Sequence, residues 1–224
     1  MAVRRAEFKV GVSERTYRAV RGAAHLLTAL YWRPEIEGAE HVPAEGPVIV
    51  APVHRSFIDF LVAAQVTRRK LYYMAKDDLW RSERFGRFLE SVGAFPVNRD
   101  GADRVAIERS QAVLERGDAL ILFPEGTRRA GPVIEDLHEG AAFLAARTGA
   151  PIVPVGIGGT AEAMPKGSKW VRPVKVHVVV GEALSAPERS ARGRVPRHQV
   201  HALTEQLRLE LQRLYDEAQA RAGR

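Results

Sequence analysis

From Gly38 onward, short apolar runs rich in β-branched residues alternate with longer stretches of helical spacing. Segments 48–52, 71–75, 94–97, 119–123, 152–156 and 174–180 read as strands. Segments 57–69, 83–92, 103–116 and 135–148 read as helices between them, and 200–220 as a closing amphipathic helix. Runs this short and this uniformly apolar suit strands buried on both faces, the situation of a parallel sheet with helical crossovers. The alternation predicts an α/β fold with a mostly parallel central sheet flanked by helices.

Three parts follow from this pattern. Residues 1–37 form a basic amphipathic helical segment, 38–185 the α/β core, and 186–224 a loop and C-terminal helix packing on that core. In the first part, 13–32 is helical until Pro34, with Val20, Ala23, Ala24, Leu27, Leu30 and Tyr31 on one side. Arg15, Arg18, Arg21 and His25 fall away from that stripe. Residues 1–33 carry seven basic against two acidic side chains, a balance of +5 within a whole-chain net charge of +7. Such a helix either packs on the core or lies in a membrane interface with Leu27, Leu30, Tyr31 and Trp32 inserted. No run of about 18 apolar residues is present, so a transmembrane helix is not expected. A signal peptide is not expected either.

A basic surface suits an anionic partner such as lipid, nucleic acid or a phosphorylated small molecule. The chain has no cysteine. That excludes a disulfide framework, thiolate metal sites and a cysteine nucleophile. The seven histidines are scattered without paired ligand spacing, so no metal centre is expected.

In open α/β sheets, ligands collect beyond the carboxyl ends of the strands. The candidate residues fall there: His54-Arg55-Ser56, Asn98-Arg99, and Glu125-Gly126-Thr127-Arg128. Asp59, five residues after His54, can orient its imidazole and leave the other ring nitrogen as a base. Ser56-x-x-Asp59 equally fits a helix capping box, which leaves His54 unexplained. No G-x-S-x-G elbow stands beside the histidine, so a base acting on a substrate hydroxyl is favoured over a covalent intermediate. The arginines at the 99 and 128 strand ends suit phosphate recognition. Gly156-x-Gly158-x-x-Ala161 imitates a dinucleotide loop, but Pro165, Gly167 and Ser168 interrupt the helix such a loop needs, so it reads as a strand-end turn.

Together these residues resemble the 1-acyl-sn-glycerol-3-phosphate acyltransferase family of glycerolipid acyltransferases. Its H-x4-D block is matched at His54 and Asp59, and its F-P-E-G-T-R block runs unbroken from Phe123 to Arg128. A block ending in arginine matches 93–99, and an apolar run around a proline matches Ile152-Val153-Pro154-Val155. The resemblance covers about residues 38–183. It implies that His54 is the general base and that Asp59 orients it. It also implies that Arg55, Ser56, Arg99, Glu125, Gly126, Thr127 and Arg128 shape the acceptor site. The implied reaction moves a fatty acyl group from acyl-CoA or acyl-carrier protein to lysophosphatidic acid, giving phosphatidic acid. No metal or bound cofactor is implied. The implied place is the cytoplasmic face of the cell membrane, held peripherally or monotopically through residues 1–33.

One departure bears on the acceptor. The family's first block often reads Asn-His-x-Ser, whereas Val53 precedes His54 here and Arg55 follows it. His-Arg-Ser is similar to the glycerol-3-phosphate acyltransferase branch, which keeps that acceptor, or another lysophospholipid, as an alternative. A basic nucleic-acid-binding protein is the rival from another class. It lacks any recognition motif and leaves His54, Asp59 and Glu125 unaccounted for, so no nucleic acid is expected as a partner.

Overall fold

Five consecutive fully buried residues, Val48–Pro52, lie at the centre of a single seven-stranded sheet. The architecture is that of a computed structural model describing residues 14–98, 103–165, 167, 168, 170–188 and 195–224. In chain order the elements are α1 Glu14–Tyr31, β1 Glu35–Glu37, β2 Val48–Pro52, α2 Asp59–Ala63, β3 Leu71–Lys76, α3 Glu83–Ser91 and β4 Ala94–Val97. They continue with α4 Arg104–Glu115, β5 Ala119–Ile121, α5 Gly140–Thr148, β6 Ile152–Gly158, α6 Thr160–Ala163, β7 His177–Val180 and α7 Arg197–Arg221.

The strand order is β1-β7-β6-β2-β5-β3-β4. Every neighbouring pair is parallel except β6 with β7. The expected mostly parallel α/β sheet is therefore present, with helices packed against it. Strands β2, β5 and β6 are buried throughout, which explains their continuous apolar runs. Helix α7 packs along β6 and β7, and α5 adjoins both α4 and α7.

Several boundaries differ from the periodicity reading. Strand β1 is only three residues long, two of them glutamates, too short for a pattern to register. The expected helix over 57–69 is α2 and a following 3-10 turn at Ala64–Val66, and the chain becomes extended at Thr67. The helix expected from 135 begins at Gly140, because 135–138 is irregular. The expected loop at 186–198 lies partly outside the described residues.

Helix α1 turns one face to the core and leaves another uncovered. Tyr17 and Thr28 are buried, and the Tyr17 hydroxyl accepts the Leu71 N–H at 2.9 Å. Arg21 also faces inward, contrary to its placement away from the packed side. Its guanidinium donates to the carbonyls of Ala64, Thr67 and Arg69, which the ending of the α2 region leaves without helical partners. Trp32, expected to insert into lipid, is instead part of the core, with Nε1 donating to the Arg172 carbonyl at 3.1 Å. By contrast Leu26, Leu27 and Leu30 are 59%, 64% and 67% exposed. Tyr31, also exposed, donates its hydroxyl to the Val171 carbonyl, next to Trp170 at 82% exposure.

The Gly156–Gly159 segment has a packing explanation. A Cβ on Gly156 would lie 2.2 Å from the Leu214 carbonyl oxygen, and one on Gly158 would lie 2.2 Å from that of Ala218. The two glycines let the backbone of α7 rest on β6. We predict that Gly158→Ala destabilises the protein by about 1–3 kcal/mol, the usual cost of overpacking. Gly22→Ala, in α1 with nothing within 4 Å of the added carbon, should stabilise it by about 0.5–1 kcal/mol. Urea unfolding midpoints of the two variants check the contrast; equal shifts would contradict the packing account.

Candidate active site

The chain leaves β2 at Pro52, and Val53 still donates its N–H to the Val155 carbonyl at 3.0 Å. The next residue, His54, thus starts from a fixed point. Its Nδ1 lies 3.1 Å from Asp59 Oδ2. The same oxygen accepts the backbone N–H groups of Arg55 and Ser56, each at 2.6 Å. A buried carboxylate is the acceptor, so Nδ1 carries the proton and Nε2 is left as the basic nitrogen. The His54 side chain is 12% exposed. Its ring stacks on Phe123 with centroids 4.1 Å apart.

Asp59 makes the carboxylate half of the expected capping box and contacts the His54 ring with the same oxygen. Asp59 opens α2 and reaches back to the N–H groups before it, so it both orders the turn and orients the ring. Ser56 does not supply the capping oxygen. Its hydroxyl donates to the Met164 carbonyl at 2.8 Å, and the residue before α2, Ile58, makes no side-chain cap bond.

Strand β5 lies beside β2 in parallel register, so the turn after it arrives next to His54. Glu125 Oε1 accepts the His54 backbone N–H at 2.7 Å, and Oε2 pairs with Arg55. The Arg129 N–H donates to the His54 carbonyl at 2.9 Å. Arg55 and Glu125 were expected to bind acceptor. Both are buried and paired with each other, and Arg55 also donates to the Val133 carbonyl at 3.1 Å. Their charges hold the two strand-end turns together. Gly126, expected to bring N–H groups to a ligand, donates its N–H to the Phe123 carbonyl. A Cβ there would lie 2.6 Å from the His138 ring, at φ 67°. Thr127 is exposed and Arg128 half-buried on the same turn.

Arg99 lies outside the described residues. Its flanks are tied together: Asp103 caps α4 through the Ala106 N–H at 2.9 Å and accepts the Asn98 N–H at 2.8 Å. Burial pushes the Asp103 carboxyl up, but these N–H groups and that of Val105 outweigh it and hold the group below the usual range.

A groove of about 870 Å³ opens beside Phe123, with Met74, Ile107, Leu122 and Phe143 along its apolar wall and Thr127 and His138 at its rim. His138 gave no sequence signal, because a lone histidine before a helix has no motif partner. Tyr215 and Gln212 of α7 reach the site as well and were equally unannounced, since α7 reads as an ordinary amphipathic helix. Among the described residues no group of three or more His, Asp or Glu is placed to hold a metal ion. The arrangement can take a proton from a hydroxyl at His54 Nε2, on a ring packed against Phe123 of the groove wall.

A family model described as Acyltransferase matches residues 33–158. The 1-acyl-sn-glycerol-3-phosphate acyltransferase of Bacillus subtilis (strain 168) is 27% identical over 169 residues, 75% of this chain and 82% of that one. The protein of the same name from Streptococcus pneumoniae is 35% identical over 149 residues, 62% of this chain and 53% of that one. The chain thus spans most of the Bacillus protein and about half the Streptococcus one. The crystal structure of the 1-acyl-sn-glycerophosphate acyltransferase PlsC from Thermotoga maritima superposes with a TM-score of 0.73 at 23% identity, over 90% of this chain and 78% of that one, a likeness of fold.

Asp59→Asn and Ser56→Ala separate orientation from packing. Ser56→Ala removes one neutral hydrogen bond and should cost about 1 kcal/mol, with turnover nearly kept. Asp59→Asn weakens charge-assisted bonds worth about 1.5–3 kcal/mol and should lower both melting temperature and turnover. Thermal unfolding alongside kcat checks this; unchanged turnover in Asp59→Asn would contradict the orienting role.

Proposed function

The chain belongs to the acyltransferase family, and on that premise we propose that it moves a fatty acyl group from an acyl thioester to the free hydroxyl of 1-acyl-sn-glycerol-3-phosphate, producing phosphatidic acid. The observation that carries this reading is the His54 ring, held through Nδ1 by Asp59 and packed against Phe123, which lines an apolar groove. His54 Nε2 takes the proton of the acceptor hydroxyl as its oxygen attacks the thioester carbonyl. The tetrahedral intermediate expels the thiolate, which takes that proton back from the imidazolium. A thioester is already activated, so a positioned base suffices without a protein nucleophile. The donor is acyl-CoA or acyl-carrier protein, with its fatty chain along Met74, Ile107 and Phe143.

Arg128 and Arg99 are the proposed partners of the acceptor phosphate. Arg55 faces Glu125 rather than the groove, so its place after His54 gives no support to glycerol-3-phosphate as acceptor.

Substrates with fatty chains partition into bilayers, so the enzyme works at their surface. No described helix is long and apolar enough to cross a membrane. The uncovered Leu26, Leu27, Leu30 and Tyr31, with Trp170 beside them, form the proposed docking face on the cytoplasmic side of the cell membrane. The apolar side chains supply depth, and each arginine near an anionic surface adds about 1 kcal/mol.

Assay of acyl transfer to lysophosphatidate, glycerol-3-phosphate and lysophospholipids tests the reaction. Lysophosphatidate should give the highest kcat/KM, and preference for another acceptor would overturn the substrate assignment. Arg128→Ala should raise KM for the phosphorylated acceptor at least about tenfold while leaving that for the donor nearly unchanged. For the membrane, flotation with anionic vesicles should be lost in the full-length Leu27→Glu/Leu30→Glu variant. Equal flotation of variant and parent would place the anchor elsewhere.

A further inference from the structure

Beyond the matched region 33–158, the C-terminal helix sends two side chains under the catalytic turn. Gln212 and Tyr215 are three residues apart on α7, and so point the same way. Tyr215 is buried, and its ring lies 5.1 Å below the Arg55 guanidinium. Burial pushes the Tyr215 hydroxyl above its ordinary pKa, while the neighbouring Arg55 guanidinium opposes the rise through its charge and a hydrogen bond. Gln212 grips the segment that Arg55 donates to. Its Oε1 accepts the Ile134 N–H at 2.7 Å and its Nε2 donates to the Pro132 carbonyl at 3.0 Å. Between those two, the Val133 carbonyl receives Arg55 at 3.1 Å.

Arg55 is thus held from two sides by one helix. The rest of its charge goes to Glu125, whose other oxygen fixes the His54 N–H. An aromatic face attracts a guanidinium more strongly when both are desolvated, and it constrains direction as well as distance. The backbone of α7 is itself pressed onto β6 at Gly156 and Gly158. The helix is therefore a rigid support from which a lateral position can be transmitted.

We infer that Tyr215 and Gln212 are positioning residues for acyl transfer, setting the place of His54 through Arg55 and Glu125. This rests on the reading of His54 as the base. It predicts that α7 sets turnover more than affinity, because neither side chain lines the groove beside Phe123.

The test uses Tyr215→Leu, Tyr215→Phe and Gln212→Ala in the full chain, each alone and combined with Arg55→Met. Two readouts are taken. One is steady-state transfer from palmitoyl-CoA to lysophosphatidate. The other is the ring nitrogen NMR signals of His54, assigned by their loss in His54→Ala. Tyr215→Leu should lower kcat about tenfold or more with both KM values within about twofold, since a small misplacement of a reacting group costs rate. Tyr215→Phe keeps the ring and should restore most of the turnover. Gln212→Ala should fall between the two. With Arg55→Met present, neither Tyr215→Leu nor Gln212→Ala should lower kcat further, because residues acting through one partner are not additive. The His54 signals should move in Tyr215→Leu and Gln212→Ala and stay in Tyr215→Phe.

Wild-type kcat with unmoved His54 signals overturns the inference, as does a full additional loss in the Arg55→Met background. Gln212 is only half-buried, so its variant carries the test if Tyr215→Leu fails to fold. Should the parent protein transfer no acyl group, the His54 signals decide alone, which separates failure of this linkage from failure of the proposed reaction.

Discussion

Two carboxylates hold one turn. Asp59 and Glu125 between them accept the backbone N–H groups of His54, Arg55 and Ser56, three successive donors directly after the central strand. Carboxylate acceptors make such bonds short and strong, about 1.5–3 kcal/mol each. A turn held this way leaves the imidazole little freedom, and Asp59 also takes its Nδ1. Glu125 would be an isolated buried charge without Arg55, and removing either partner of such a pair typically costs about 3–5 kcal/mol. The pair is weak support for stability as such and strong support for a defined geometry.

Sheet order makes this convergence possible. β2 and β5 are adjacent and parallel, so both chains leave the sheet at the same end. His54 follows β2 by two residues and Glu125 follows β5 by four, so residues 71 apart in sequence meet within hydrogen-bonding distance. Met164, directly after α6, accepts the Ser56 hydroxyl, and α7 closes the assembly from below. The strand ends are joined chiefly by side chain to backbone bonds, which fix position more tightly than contact between apolar surfaces.

Much of this was legible in the residues. The 48–52 and 119–121 runs are apolar because those strands are buried on both faces, and composition alone signals that. His54 and Asp59 stand five apart in one turn, so their meeting needs only local geometry. Arg55 is different. Its position beside a histidine at a strand end suggests ligand binding, and only the fold reveals that Glu125 arrives to take its charge. Trp32 is similar: it ends an amphipathic stripe, yet the Arg172 carbonyl and the core claim it while Leu26, Leu27 and Leu30 stay outside. Periodicity marks an apolar face but not which part of it meets protein. Tyr215 and Gln212 left no trace, because a polar side chain on the inner face of a long helix has no local partner to betray it.

The account turns on whether the imidazole at the end of β2 is the base. His54→Ala removes that group from a mostly buried site without touching the N–H bonds to Asp59 and Glu125, so the folded turn should persist. General base catalysis typically contributes about 10²–10⁴-fold. The direct measurement is kcat for acyl transfer to lysophosphatidate by His54→Ala, with circular dichroism and melting temperature showing that the fold is kept. The account predicts a loss of at least about a hundredfold. A folded variant retaining more than about a tenth of the parent turnover would contradict it.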